Sequence, residues 1–172
     1  MSPIDPNSSN RAGASRISLR KVRAEDRAFL ARLYATTRSS EMAQVPWTEE
    51  QKAVFLRMQF ETQDRFYRER FPTARCDLIE SGSEPIGRLY LDVGITEIRL
   101  IDIALLPEWR GAGLGTTLLQ QLMEEARVAD LPLTLHVEPS NPAAHLYERL
   151  GFEFVEARDF DQDHCLVYRY PR

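Results

Sequence analysis

Three strand-like apolar runs, Ala74–Glu80, Ile86–Val93 and Glu97–Leu106, are separated only by Ser81-Gly82-Ser83-Glu84-Pro85 and Gly94-Ile95-Thr96. A parallel crossover needs about a dozen residues, so connections this short force an antiparallel meander at the centre of the fold. The flanks supply its cover. Ile17-Ser18-Leu19-Arg20-Lys21-Val22 alternates at period two as a strand, and Phe29, Leu30, Leu33 and Tyr34 fall at helical spacing within Ala24–Thr37. After the polar break Arg38-Ser39-Ser40-Glu41, Thr48 with Gln51 three residues on forms a capping box. The helix it opens is expected to turn Phe55, Met58, Gln59, Thr62 and Phe66 inward and to stop before Pro72. Behind the meander, Leu114, Leu118, Leu119, Leu122, Met123 and Ala126 mark an amphipathic helix and Leu133–Val137 a strand. Pro142–Leu150 reads as a short helix closed by Gly151, and Phe152–Val155 and Cys165–Tyr170 as two last strands. The order β-α-α-β-β-β-α-β-α-β-β predicts an α/β (α+β) fold with a mixed sheet.

The chain has 172 residues, 43% hydrophobic and 28% charged, the size and composition of one globular domain. Residues 1–15 lack periodic apolar positions and are expected to form a flexible tail, leaving 16–172 as a single domain. A net charge of −4 and a pI near 5.5 argue against a nucleic-acid or anionic-lipid partner. No apolar run approaches the roughly 20 residues of a membrane span, and the start lacks a signal-peptide pattern, so a cytoplasmic protein without membrane attachment is expected. Cys76 and Cys165 stand in apolar runs and read as buried free thiols.

The chemistry concentrates in Ile101-Asp102-Ile103-Ala104-Leu105-Leu106-Pro107-Glu108-Trp109-Arg110-Gly111-Ala112-Gly113-Leu114-Gly115-Thr116. A strand runs into a turn with three glycines, and a helix begins at once. Successive backbone N–H groups in such a turn point into one concavity, and the helix N-terminus adds partial positive charge, which suits phosphate oxygens. A Walker loop is excluded because no Lys follows Gly115, and a dinucleotide fingerprint fails because Thr116 stands where its third Gly belongs.

Arg110-x-x-Gly113-x-Gly115 after a strand, followed by Leu133-Thr134-Leu135-His136-Val137 and then Asn141 through Tyr147-x-x-x-Gly151-Phe152, resembles the GNAT N-acetyltransferase family. The resemblance extends over Arg16–Arg172 and implies the GNAT-like acyl-CoA N-acyltransferase fold, with acetyl-CoA as cosubstrate and no metal. It implies that the strands Glu97–Leu106 and Leu133–Val137 splay apart, and that backbone of Ile103, Ala104 and Leu105 meets the pantetheine arm and thioester. The Leu105 N–H then helps to stabilise the oxyanion. Backbone of Arg110, Gly111, Ala112, Gly113, Leu114, Gly115 and Thr116 would hold the pyrophosphate, with the Arg110 guanidinium as an added contact. Tyr147 matches the family's usual proton donor to the leaving thiolate. Asn141 contacts the pantetheine or caps the following helix.

The base has two candidates. Asp102 sits amid Ile and Leu, either aimed at the cleft or satisfied by Arg99 or Arg88, and Glu97 stands at the strand start. His136, His145 and His164 have no second ligand at metal spacing. In the implied fold the acceptor enters between the first two helices and the last hairpin, past the segment Glu41–Trp47. Acidic residues Glu41, Glu153, Glu156, Asp159, Asp161 and Asp163 there favour a cationic amine. The expected activity is transfer of an acetyl group to a primary amine of a small molecule. The alternatives are a protein or peptide N-acetyltransferase and a non-catalytic acyl-CoA-binding module. Edge strands in that family often pair, which implies a homodimer.

Overall fold

The computed structural model describes residues 17–137, 141, 143–160 and 163–171. Its elements are β1 (Ile17–Lys21), α1 (Arg27–Thr37), α2 (Ser39–Met42), α3 (Glu49–Arg70), β2 (Arg75–Ser81), β3 (Glu84–Val93), β4 (Ile98–Leu105), α4 (Leu114–Ala129), β5 (Leu133–Val137), α5 (Ala144–Arg149), β6 (Glu153–Phe160) and β7 (Asp163–Tyr170). The seven strands form one sheet in the order β1-β2-β3-β4-β5-β7-β6. Only the central pair β4 and β5 is parallel; every other neighbouring pair is antiparallel. The expectations for residues 1–15 and for the side chains of Asp159, Asp161, Asp163, His164 and Cys165 lie outside the described residues. Cys76 is a free thiol, half-buried rather than buried, and desolvation pushes it up to about 12.

The element order is the expected one with an addition. The polar break after α1 is itself helical, as α2. Polar groups hold this turn: Ser39 donates to the Thr36 carbonyl at 3.1 Å, and Arg38 pairs with Glu41 at 3.0 Å. Four residues are too few for an apolar period to announce them.

The sheet buries two different faces. One carries Ile79, Leu89, Leu91, Ile98, Leu100, Leu133 and Leu135 against Leu118, Leu119, Leu122 and Ala126 of α4. Fully burying each such aliphatic side chain stabilises by about 1.5–3 kcal/mol, so this face is the main core. On the opposite face Leu30, Tyr34 and Phe60 close over Leu78. The capping box at Thr48 is present, with the Gln51 N–H donating to the Thr48 hydroxyl at 3.3 Å and the Thr48 N–H donating to Gln51 Oε1 at 2.9 Å.

The inward face of α3 differs from the expected one. Phe60 is 2% exposed and anchors the helix, whereas Met58 is 62% exposed. Tyr34 offers both a ring to Phe60, centroids 6.0 Å apart, and a hydroxyl to Gln59 at 3.3 Å. The helix therefore turns a half-polar face, Gln59, Phe60, Gln63 and Tyr67, toward the sheet. No apolar periodicity could have marked it.

Candidate active site

The site begins with a failure of pairing. β4 and β5 match only at Ile98 with Leu133, Arg99 with Thr134 and Leu100 with Leu135, and beyond Leu100 the two strands separate. Where they part, β4 is bulged against β3: Tyr90 faces Asp102 and Leu91 faces Leu100, leaving Ile101 as the extra residue. Further along, the Leu106 N–H donates to Ile86 O at 2.9 Å. Antiparallel backbone groups alternate in direction, so the amides of Ile103 and Leu105 turn to the other edge, into the gap. A cleft results, with the Ile103 and Leu105 amides on its β4 edge.

The glycine turn lies at the open end of this cleft. Gly111 and Gly113 have φ of 73° and 82°, conformations that a residue with a Cβ rarely adopts, and Gly113 is the N-cap of α4. A Cβ built at Gly111, Gly113 or Gly115 meets no atom within 4 Å. The Cβ directions of the three glycines are open, beside the N-terminus of α4. The turn fits a pyrophosphate. The Arg110 guanidinium takes a different position from the one expected for a phosphate contact. Its Nε donates to Leu105 O at 2.8 Å and an Nη to the Thr36 hydroxyl at 3.0 Å, tying the turn to β4 and α1. Trp109 packs against the main core and against the small cluster of Leu33, Ala104 and Leu106.

Tyr147 belongs to α5 and to the main core. It is 7% exposed, with Phe152 at 5.8 Å and Tyr168 at 6.4 Å between ring centroids. Burial, reinforced by the nearby Asp102 charge, pushes its phenol up to about 12, so it keeps its proton at neutral pH. Asn141 accepts from the Ala143 N–H through Oδ1 at 2.9 Å, an Asx turn just ahead of α5, whose N-cap is Ala143.

Asp102 comes from β4 across the gap. Arg88 of β3 donates to its Oδ2 from Nε at 2.8 Å and from Nη at 2.5 Å. The same Nη reaches Gln63 Oε1 at 3.0 Å. Tyr67 of α3 packs on Tyr90, centroids 5.2 Å apart, and burial with the Asp102 charge holds its phenol well above the usual range. Asp102, Arg88, Gln63, Tyr67 and Tyr147 therefore share one electrostatic neighbourhood. Glu97 stands apart from it. It precedes β4 at the end where β4 and β5 are paired, in an ion pair with Arg99 and accepting from the Thr134 hydroxyl at 3.0 Å. His145 is exposed beside Glu148, and His136 occupies β5 next to the last β4 pairing. Among the described residues no three His, Cys, Asp or Glu side chains gather to hold a metal.

Gln63 and Thr36 were not expected as site residues. A signal existed for the first. An arginine inside the apolar run Ile86–Val93 requires buried partners, and these must come from facing elements.

A splayed parallel pair, a glycine turn on a helix N-terminus and a buried tyrosine occur together in this fold. A family model described as acetyltransferase (GNAT) family matches residues 36–152. The chain belongs to that family. The [ribosomal protein bS18]-alanine N-acetyltransferase of Haemophilus influenzae is 37% identical over 82 residues, 47% of this chain and 56% of that protein. A mycothiol acetyltransferase of Nocardiopsis dassonvillei is 41% identical over 91 residues, 52% of this chain and 22% of that protein. The cysteine-rich protein 2-binding protein of Mus musculus matches over 9% of its length at 37% identity, covering 41% of this chain. The chain thus spans less than two thirds of these curated relatives. Among solved structures, an acetyltransferase from Thermus thermophilus superposes with a TM-score of 0.66 at 20% identity, over 92% of this chain and 99% of that one. PaiA N-acetyltransferase from Thermoplasma acidophilum, in complex with coenzyme A, gives 0.61 at 20% identity, over 90% and 99%. These likenesses establish the fold. Among the described residues no helix is long and apolar enough to cross a membrane.

Proposed function

We propose that this chain transfers the acetyl group of acetyl-CoA to a primary amine of a small molecule, by direct attack within a ternary complex. The observation that carries the proposal is the gap between β4 and β5, into which the amides of Ile103 and Leu105 turn, together with a buried, protonated Tyr147 in the field of Asp102. The glycine turn would receive the pyrophosphate through backbone N–H groups from Arg110 to Thr116, with Arg110 fixing the turn rather than the phosphate. The amides of Ile103 and Leu105 would take the pantetheine and the thioester oxygen as it gains charge. The amine nitrogen forms the new C–N bond while the C–S bond breaks. Tyr147, which keeps its proton at neutral pH, gives it to the departing sulfur. Asp102 is the better placed carboxylate to take the amine proton, because Glu97 lies at the paired end of the strands.

Glu41, paired with Arg38 near the α1–α3 entrance, and the exposed Glu153 support a cationic acceptor. A protein N-terminus is the second reading, favoured by the likeness to the bS18-alanine N-acetyltransferase. Tyr147→Phe is the test. It should leave acetyl-CoA affinity unchanged and lower kcat by about 10²–10⁴-fold. Full activity in Tyr147→Phe would overturn the assignment of the acid, and acetyl-CoA binding with no amine-dependent thiol release by the wild type would favour a binding module.

A further inference from the structure

Arg88 lies in the middle of β3, and its side chain is only 5% exposed. A guanidinium so deeply buried is strongly unfavourable unless charge and hydrogen bonds compensate it. Its compensation is asymmetric. Both bonds to Asp102 end on the same carboxylate oxygen, Oδ2, and among the described residues no hydrogen bond reaches Oδ1. The carboxylate is the accessible member of the pair, with its side chain 24% exposed. The Nη that grips Asp102 is held in turn by Gln63 Oε1, from the middle of α3. Gln63 and Tyr67 are one helical turn apart, so α3 presents an amide that orients Arg88 and a phenol in the field of Asp102.

We infer that Arg88, braced by Gln63, is a positioning residue for acetyl transfer: it anchors Asp102 through Oδ2 so that Oδ1 is presented to the incoming amine. The inference rests on the reading of Asp102 as the group that takes the amine proton. A carboxylate on a strand has two torsions to fix, and a guanidinium that grips one oxygen with two N–H donors is a stiffer clamp than an ammonium, which supplies charge without the planar fork. The chain Gln63–Arg88–Asp102 also ties the helix over the acceptor side to the strand that faces the thioester. A misplacement of the reacting partners by about 1 Å can lower the rate by about 10²-fold, so such a clamp is worth having.

The test measures kcat and KM for the fastest acceptor in a panel containing an alkyl diamine, an amino-acid amide and an amino sugar, together with acetyl-CoA affinity by titration calorimetry. Arg88→Gln should lower kcat by about 10²-fold with acetyl-CoA affinity within about twofold of wild type, and Arg88→Lys should recover part of the loss. The double variant Arg88→Gln/Asp102→Asn should be no slower than Asp102→Asn alone, because Arg88 acts through Asp102. Gln63→Leu leaves the buried ion pair in place and covers the case in which Arg88 variants fail to fold. It should lower kcat several-fold, again without changing acetyl-CoA affinity. Wild-type kcat in folded Arg88→Gln, or in Gln63→Leu, or losses that multiply in the double variant, would overturn the positioning role while leaving Asp102 as the base. Wild-type kcat in Asp102→Asn would instead remove the reading on which the inference rests.

Discussion

The two sides of the cleft are built from different materials. On the proposed function the donor side is backbone: amides of Ile103 and Leu105 turned into a gap, a turn with two left-handed glycines, and the first turn of α4. On the same reading the acceptor side is side chain: Asp102, Arg88, Gln63 and Tyr67, drawn from β4, β3 and α3. A constant ligand such as a pyrophosphate and pantetheine can be met by amides whose positions depend only on strand and turn geometry. An acceptor that varies from one family member to another must be met by groups that can be replaced one at a time. Tyr147 stands where the two sides join, buried against Phe152 and Tyr168.

Gly115→Glu breaks the donor side alone. Gly115 lies within α4 and is absent from the positive-φ glycines, and its Cβ direction is open, so the variant should fold. The carboxylate would occupy the phosphate concavity, and acetyl-CoA affinity should fall by at least about 10²-fold at an unchanged melting temperature. An affinity within a few-fold of wild type would show that the turn is no phosphate cradle. Gly87→Ala perturbs the scaffold under the same side. The new Cβ would press into the Ala104 carbonyl oxygen and the Leu105 side chain, so a destabilisation of about 1–3 kcal/mol is expected in chemical unfolding.

Asp26 supplies a control outside both sides. The bidentate Arg20 guanidinium, at 2.8 and 2.9 Å, and the Arg23 N–H hold its carboxyl down to about 2 against the opposing effect of burial. A carboxyl depressed in the folded state contributes stability that is present above its unfolded value, about 4, and is lost as the pH falls toward 2. Unfolding between pH 2 and 5 should show this loss in the wild type and not in Asp26→Asn, with acetyl transfer at neutral pH unchanged in both. The smallest effect is expected at Met58. It is exposed on α3, so Met58→Ser should change stability by less than about 0.5 kcal/mol, and a larger loss would mean that the α3 face has been misassigned.

The same contrast explains what the sequence shows and what it hides. Arg110, Gly113 and Gly115 fall within six residues, and the meander ahead of them has turns too short for anything but antiparallel pairing, so strand order and glycine turn are both local signals. The acceptor side has no local signature. Gln63 lies 25 residues from Arg88, and Arg88 lies 14 from Asp102, so only the folded sheet and helix bring them together. The arginine within an apolar strand announces that a partner exists without naming it. The α3 face is misleading for a related reason. Hydrophobic periodicity favours Met58 and Phe66, while the helix is oriented by Phe60 in the core and by the polar bonds of Gln59 and Gln63. Arg110 is legible by its motif position, while its bonds to Leu105 O and the Thr36 hydroxyl emerge only from the fold.

The most direct measurement is release of the CoA thiol from saturating acetyl-CoA by the wild type and Tyr147→Phe, with and without each amine of the panel. Thiol release that requires an amine in the wild type, and is lost in Tyr147→Phe despite unchanged acetyl-CoA binding, is the predicted result. Release that is independent of every amine, or equal in the two proteins, would contradict a cleft in which backbone holds the donor and Tyr147 completes the transfer.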